Sequence, residues 1–404
     1  MNTEYMSIPT GWRLSTVGRE CKICNSLREP LSENERSTMQ GSYPYYGPTK
    51  AVDFLNHFKV EGTYALIGED GDHFLKYSSQ NMTQFVCGRF NVNNHAHIVQ
   101  GGAECSTEWF YTFFRHRSIS PFLTRQGAGR YKLKKAALEK IPILIPPRIE
   151  QVKIHKTIVN WDRSIELTES LINTKQERRK WLMQQLLTGK RRLPGFKKSN
   201  ELRKTPFGRL PADWGYPRIG DVAKEVSERN GDNTTRPVLS CTKHQGLVDS
   251  LIYFGKRIFS EDLSNYKVVH RHQFAYATNH IDEGSIGYQD TYDEALISPI
   301  YTVFQANETM DDRFLFLILK TETYRHIFSS NTSASVDRRG SLRWHDFAKI
   351  RVPRPSIEEQ KAIVKVINTA DRELDLLRSQ LDALREQKKG LMQLLLTGKV
   401  RVKM

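Results

Sequence analysis

The sequence predicts an α+β fold in which two globular domains are joined by two long helices that pair as a coiled coil, laid out as a pseudo-twofold tandem repeat. Two internal echoes and one change of period predict it. The stretch from Glu150 to Arg192 aligns without a gap onto Glu359 to Arg401, 209 residues further on, with 20 identities in 43 positions. Both copies close alike, on Leu182-Met183-Gln184-Gln185-Leu186-Leu187-Thr188-Gly189-Lys190 and on Leu391-Met392-Gln393-Leu394-Leu395-Leu396-Thr397-Gly398-Lys399. A shorter echo opens each half: Pro9-Thr10-Gly11-Trp12 with Gly18, and Pro211-Ala212-Asp213-Trp214 with Gly220, offset by 202. Hydrophobic spacing then switches from strand-like to helical at the start of each long repeat. Two tandem copies of "variable globular part, then helix" suit a target that is itself roughly twofold, such as duplex DNA.

The first domain, residues 1–147, alternates short β-rich runs with turn signals. Tyr64–Ile67, Phe85–Cys87 and His97–Val99 read as strands. Residues 104–117, carrying Trp109, Phe110, Phe113 and Phe114, read as a helix with an aromatic face. Residues 141–147 are a short apolar strand stopped by prolines. Residues 148–192 form the first helical region. Ile154 and Ile158 share a face there, and Asn160 and Asp162, echoed by Asp371, read as a break with a new N-cap. The main helix then runs to Gly189, at a C-terminal glycine position. Residues 193–206 are a basic linker broken by Pro194 and Gly195, either solvated or in contact with phosphates.

The second domain, residues 207–354, shows strands at Phe274–Tyr276, Ile300–Phe304 and Ile350–Val352 and a helix over 313–328, in the relative place of the aromatic helix. Residues 355–404 repeat the helical region. Leu374, Leu377, Leu381, Leu384, Lys388, Leu391 and Leu395 follow 3-4 spacing, a seam with one lysine. The same register in the first copy holds Ile165, Thr168, Ile172, Lys175, Arg179, Leu182 and Leu186, poor alone but able to pair with the better copy. Each main helix spans roughly 25 residues, or about 38 Å.

Composition narrows the function. Lys and Arg number 61 against 45 Asp and Glu, a net charge of +16 over 404 residues, which favours a polyanionic partner, nucleic acid first. Five cysteines fit a reducing, cytoplasmic compartment. Cys21-x-x-Cys24 lacks a second pair at zinc spacing. The N-terminal MNTEYMSIPTGWR has no apolar signal core, and no apolar run reaches roughly 18 residues.

No catalytic motif is present. Thr188-Gly189-Lys190 lacks the upstream glycine and the following hydroxyl of a phosphate-binding loop. There is no Gly-rich cofactor loop with an Asn/Asp-Pro-Pro-aromatic turn, no G-x-S-x-G and no H-E-x-x-H. Glu69-Asp70-Gly71-Asp72-His73 with Asn93-Asn94-His95-Ala96-His97 admits three readings: a metal-dependent nuclease site, a polar DNA-facing surface, or plain turn chemistry. Tyr43-Pro44-Tyr45-Tyr46-Gly47 can stack on bases or pack on the sheet. Arg338, Arg339 and Arg343, matched by Arg130, Lys132 and Lys134, place cations at equivalent positions of both halves, either phosphate contacts or solvated surface.

In the order of these motifs the chain resembles the specificity (S) subunits of type I restriction–modification systems. The paired helices opening Ile149-Glu150-Gln151 and Glu358-Glu359-Gln360 resemble the family's two conserved regions. Tyr45-Tyr46-Gly47, Ile67-Gly68-Glu69-Asp70-Gly71 and Val92–His97 resemble one type of target recognition domain. Tyr276-Ala277-Thr278, Asp282–Gly287, Ser298-Pro299 and Tyr301–Phe304 resemble another. The resemblance implies two target recognition domains, each reading one half of an asymmetric bipartite DNA site. It implies antiparallel helices that set the gap. Two methyltransferase (M) subunits would dock and methylate adenine N6, and restriction (R) subunits would cleave. It implies no cofactor on this chain, with S-adenosylmethionine on M and ATP with magnesium on R. The candidate DNA contacts are Tyr45, Tyr46, Lys50, Asp70, His73, Asn93, Asn94, His95, Arg130 and Lys132, then Lys243, His244, Asn279, His280, Ser285, Arg338, Arg339 and Arg343. The candidate spacer and docking positions are Ile165, Ile172, Leu182, Leu186, Leu374, Leu377, Leu381, Leu384, Leu391 and Leu395. The competing readings are a self-contained metal-dependent nuclease, an orphan DNA-binding protein without partners, and a coiled-coil scaffold that reads no sequence.

Overall fold

The computed structural model describes residues 8–126, 130–231, 236–243, 245–332 and 341–403. The chain divides into two compact units, residues 1–170 with 379–404, and residues 171–378. Each unit therefore contains one globular domain and one end of each long helix. No helix among the described residues is long and apolar enough to cross a membrane.

In the first unit, a six-stranded sheet runs in the order Cys21–Ile23, Ala96–Gly101, Val60–Gly68, Thr83–Val92, Gln40–Tyr46, Ala51–Leu55. All pairings are antiparallel except that of Gln40–Tyr46 with Thr83–Val92. Strand alternation splits the side chains between two cores. Ala65, Ile67 and Val99 join Trp109, Phe110, Phe113 and Phe114 of the helix Thr107–Phe114, while Leu66, Val86 and Ile98 fill the opposite face. Ser106 caps that helix by accepting from Trp109 N, which explains why it starts later than the sequence predicts. Arg13–Thr16 pairs with Pro142–Ile145, closing the domain just before its long helix.

The second unit has two four-stranded sheets: Ala223–Val226, Tyr301–Ala306, Phe274–Ala277, Ile286–Tyr288, and Gly246–Asp249, Val238–Thr242, Glu294–Ile297, Lys267–His270. Ala275 and Val303 pack with Leu239, Val269 and Ile297, whereas Phe274, Tyr276 and Phe304 turn to the helical side. The helix predicted over 313–328 is two helices, Asp312–Leu319 and Glu322–Asn331, because Thr321 caps the second by accepting from Tyr324 N. Ile350–Val352 is not a sheet strand; two isolated bridges, Gly215 with Arg354 and Arg218 with Arg351, stand where the first domain has a full pairing.

The two long helices are Arg148–Leu186 and Ile357–Leu395, 39 residues each, about 58 Å at 1.5 Å per residue. The break predicted at Asn160–Asp162 is absent. Asp162 caps nothing; its carboxylate accepts from Arg115 and Lys388, and the helix continues past it. Both helices end where a glycine takes a left-handed conformation, Gly189 at φ 66° and Gly398 at φ 68°.

Candidate nucleic-acid interface

The identical residues of the two repeats build the same anchor in each unit. In the first unit, Trp12 donates through Nε1 to Glu150 Oε2 at 3.0 Å, and Arg401 clamps both oxygens of Glu150 at 2.6 and 2.7 Å. In the second, Trp214 donates to Glu359 at 3.1 Å, and Arg192 clamps Glu359 at 2.5 and 2.7 Å while also holding Asp213. Each terminal glycine lies against the opening motif: a Cβ on Gly189 would meet Pro211 at 2.5 Å, and one on Gly398 would collide with Pro9. The short Pro-x-x-Trp echo and the Thr-Gly-Lys ending are thus two sides of one contact.

The neighbouring glutamine fixes the domain to its helix. Gln151 accepts from Ser106 N and donates to Glu104 O and Pro146 O; Gln360 accepts from Asp311 N and donates to Thr309 O and Pro355 O. Ser106 and Asp311 are the N-cap residues of the aromatic helix of the first domain and of Asp312–Leu319. The long helix is thereby keyed to the element on which each domain's core is built. The candidate lists drawn from sequence missed this anchor, although the identities between repeats carried its signal.

On the first domain, Asp70, His95 and Arg130 come together. His95 Nδ1 lies 2.8 Å from Asp70 Oδ2, and Arg130 lies 3.7 Å from Asp70 Oδ1. Behind them Glu69 accepts from Arg28 at 2.7 Å and faces Lys132 at 3.4 Å. His97 donates from Nε2 to Leu133 O at 2.7 Å, and its Nδ1 receives Arg28 at 2.7 Å. Burial pushes the His97 imidazole below its usual range, so it is neutral and structural. Asn93 orients the loop by accepting from His95 N, and Asn94 and Lys50 are exposed.

Two candidates belong to the interior instead. Tyr45 is 1% exposed, and its hydroxyl donates to Glu29 O and accepts from Leu31 N. His73 is buried against Phe74, in space left by the missing side chains of Gly68 and Gly71. Tyr46 is half-buried, edge-on to Phe90. Asp70 and His95 therefore pair with each other, while His73 and His97 turn to separate surroundings. Among the described residues no group of three or more His, Cys, Asp or Glu side chains is placed to hold a metal ion. The thiols of Cys21 and Cys24 also diverge, toward Cys105 and toward Lys22 O.

On the second domain, Lys320 ties two candidate loops by donating to Lys243 O at 2.8 Å and Gly284 O at 2.9 Å. Burial pushes its ammonium below the usual lysine range. Lys243 and His280 are exposed, Asn279 is half-buried and Ser285 is buried. His280 pairs with Glu283 at 3.3 Å. Arg343 is exposed at the N-cap of Trp344–Phe347, the position that Lys134, 209 residues earlier, holds before Lys135–Leu138. His244, Arg338 and Arg339 lie outside the described residues.

Residues 9–175 and 211–386 each match the profile of the type I restriction modification DNA specificity domain. The chain belongs to that specificity family. It is similar over most of its length to the type I restriction enzyme MjaVIII specificity subunit of Methanocaldococcus jannaschii, 23% identical over 413 residues, which cover 98% of this chain and 95% of that one. It is 36% identical over 136 residues to the putative type I restriction enzyme specificity subunit S.HindORF215P of Haemophilus influenzae, a match spanning 34% of each protein. The crystal structure of a type I restriction–modification S subunit from M. genitalium has the same fold, with TM-score 0.58, 14% identity and complete coverage of both chains.

In this specificity subunit the helical seam follows the register read from sequence. Leu374, Leu381 and Leu395 are buried, and Leu377, Leu384, Lys388 and Leu391 are half-buried; Ile172 and Leu186 are buried, with Ile165 and Leu182 half-buried. The polar seam positions are paired within each unit. Lys388 donates to Asp162 at 2.5 Å in the first; in the second Arg179 holds Asp371, and Lys175 holds Glu373 at 2.5 Å. The contacts run antiparallel in both units, residue numbers rising on one helix as they fall on the other.

Proposed function

We propose that this specificity subunit reads an asymmetric bipartite DNA sequence, one half with each globular domain. The observation that carries this reading is the contrast between the two halves. The Trp, Glu, Gln, Gly and Arg that join domain to helix repeat in both halves, whereas the surfaces near Asp70, His95 and Arg130 and near Lys243 and His280 stand on differently connected sheets and on loops of different sequence. Two identical mounts carrying two different faces are what an asymmetric two-part site requires. On the first domain, Asp70 orients the His95 ring, leaving Nε2 for a base edge. Arg130 supplies the fork that suits guanine O6 and N7. On the second, Lys243, His280 and Arg343 supply the exposed donors.

The paired helices act as the ruler between half-sites and, with the domains' outer surfaces, as the dock for two modification subunits. Those subunits bring S-adenosylmethionine and transfer its methyl group to adenine N6, one on each strand, after the base leaves the stack. Restriction subunits add ATP- and magnesium-dependent cleavage. The complex works in the cytoplasm. Residues 1–147 and 207–354 are the two recognition domains, 148–192 and 355–404 the helical regions, and 193–206 their linker.

Exchange of residues 207–354 for the corresponding domain of another specificity subunit tests the division of labour. One half of the methylated motif should change and the other stay. A change in both halves, or in neither, would contradict it.

A further inference from the structure

Between Lys190 and Arg209 the chain carries eight cations and one acid, Glu201. Two of the cations are spoken for. Arg192 is held by Glu359 and Asp213, and Arg203 donates to Trp214 O at 2.6 Å. The other six, Lys190, Arg191, Lys197, Lys198, Lys204 and Arg209, are exposed. Arg191 lies over the ring of Trp181, 5.6 Å from its centroid, and that tryptophan is itself 43% exposed.

The arrangement is more than a run of charge, because the chain folds part of it against itself. Leu202–Thr205 and Gly208–Pro211 form a hairpin in which Arg203 stands opposite Leu210, and Lys204 opposite Arg209. Leu210 is buried and Arg203, though exposed, reaches the Trp214 carbonyl, so that pair lies on the face turned to the domain. Lys204 and Arg209 lie on the other face, exposed, and neither makes an ion pair or side-chain hydrogen bond among the described residues. Like charges directly opposite on a two-stranded ribbon repel and weaken the pairing. A polyanion lying on that face turns the repulsion into two charge-assisted contacts. Cβ atoms about 5 Å apart on long side chains can reach one phosphate or two successive ones.

We propose that this hairpin, with the connector before it, binds the sugar–phosphate backbone of duplex DNA as a sequence-independent holding surface, distinct from the two reading faces. The proposal rests on the DNA-recognition reading above. It assigns affinity to residues 190–209 and leaves specificity to the domains.

The test is fluorescence anisotropy of the full-length chain with a labelled random-sequence duplex across a series of KCl concentrations. Each phosphate contact contributes about 0.9 to the slope of log affinity against log salt, so the K204Q/R209Q variant should lower the slope by about 1.8 and weaken binding at low salt. K204R/R209K should keep the slope of the parent chain. The melting midpoint of K204Q/R209Q should hold or rise, since a repulsion is removed, which separates the effect from loss of fold. Equal slopes for parent and K204Q/R209Q would overturn the proposal while leaving the reading faces untouched. So would an unchanged slope accompanied by lost association with an added modification subunit, which would mark the hairpin as a protein-docking surface. A parent chain that shows no salt-dependent DNA binding would overturn the proposal and the DNA-recognition reading together.

Discussion

Arg192 encloses the carboxylate of Glu359 in a two-point ion pair whose side chains are 6% and 2% exposed, the most secluded such pair described in the chain. Its counterpart, Arg401 with Glu150, has the same geometry, but the arginine is 38% exposed. A buried carboxylate left without its cation costs about 3–5 kcal/mol, and water entering around the vacancy reduces that. Arg192→Ala should therefore destabilise by about 3–5 kcal/mol, and Arg401→Ala by about half as much. Urea unfolding of the two variants checks the order; equal losses would mean that seclusion of the arginine does not set the cost.

Asp162 accepts from Arg115 and Lys388 within one unit. Burial alone would raise its carboxyl, but hydrogen bonds from the two cations outweigh burial and hold it below the usual aspartate range. A carboxyl depressed on folding stabilises above its unfolded value, near 4, and loses that stabilisation as pH falls through the folded value. Asp162→Asn leaves Arg115 and Lys388 facing each other and should cost on the order of 2 kcal/mol at neutral pH, discounted for partial exposure. The deficit should begin to shrink as pH falls below about 4 and vanish only once pH is below the folded value. Thermal melts of both proteins from neutral pH downward measure it.

Four histidines of the first unit, His73, His97, His116 and His155, have imidazoles pushed down chiefly by burial. They fold neutral and would charge on unfolding, so the unfolded chain binds more protons below about 6.5 and stability falls as pH drops from there toward the folded values. The melting midpoint should decline from pH 6.5 toward 5, with His97→Gln giving a shallower decline. A midpoint flat over that window would contradict the burial of these rings.

Arg130→Ala should relax the first half-site alone, losing about 1–3 kcal/mol of discrimination at one base pair. Methylation profiling of a strain carrying the variant reads it directly. Relaxation of the other half, or a uniform loss across all positions, would move Arg130 from base contact to phosphate contact.

Removing one heptad from each helix, at equivalent positions of the seam, shortens the ruler by about 10 Å, which is about three base pairs. The gap in the recognised motif should shrink by that amount, with both half-sites kept. An unchanged gap would sink the ruler.

Much of the helical region was legible because repetition exposes it. The 3-4 spacing of Leu374, Leu377, Leu381 and Leu384 marks a buried seam without knowledge of the partner. The continuity of the first helix was not legible. Asn and Asp favour helix starts in local sequence, and only the tertiary partners of Asp162, Arg115 and Lys388, show that it is not a cap. Thr321 is the converse, a real cap inside a stretch that reads as one helix. At the candidate interface the meeting of Asp70 with His95 agrees with their polar loops, but the burial of Tyr45 and His73 does not show in their neighbours. Burial there follows from long-range pairings, Tyr45 with Glu29 and Leu31, and His73 beneath two glycines.

The most direct test of the central claim is the adenine methylome of a host carrying this chain with its modification subunit, compared with the same host lacking this chain alone. The account expects N6-methyladenine at one asymmetric bipartite motif, present with the chain and absent without it. A methylation pattern unchanged by its removal would contradict the assignment of sequence reading to this protein.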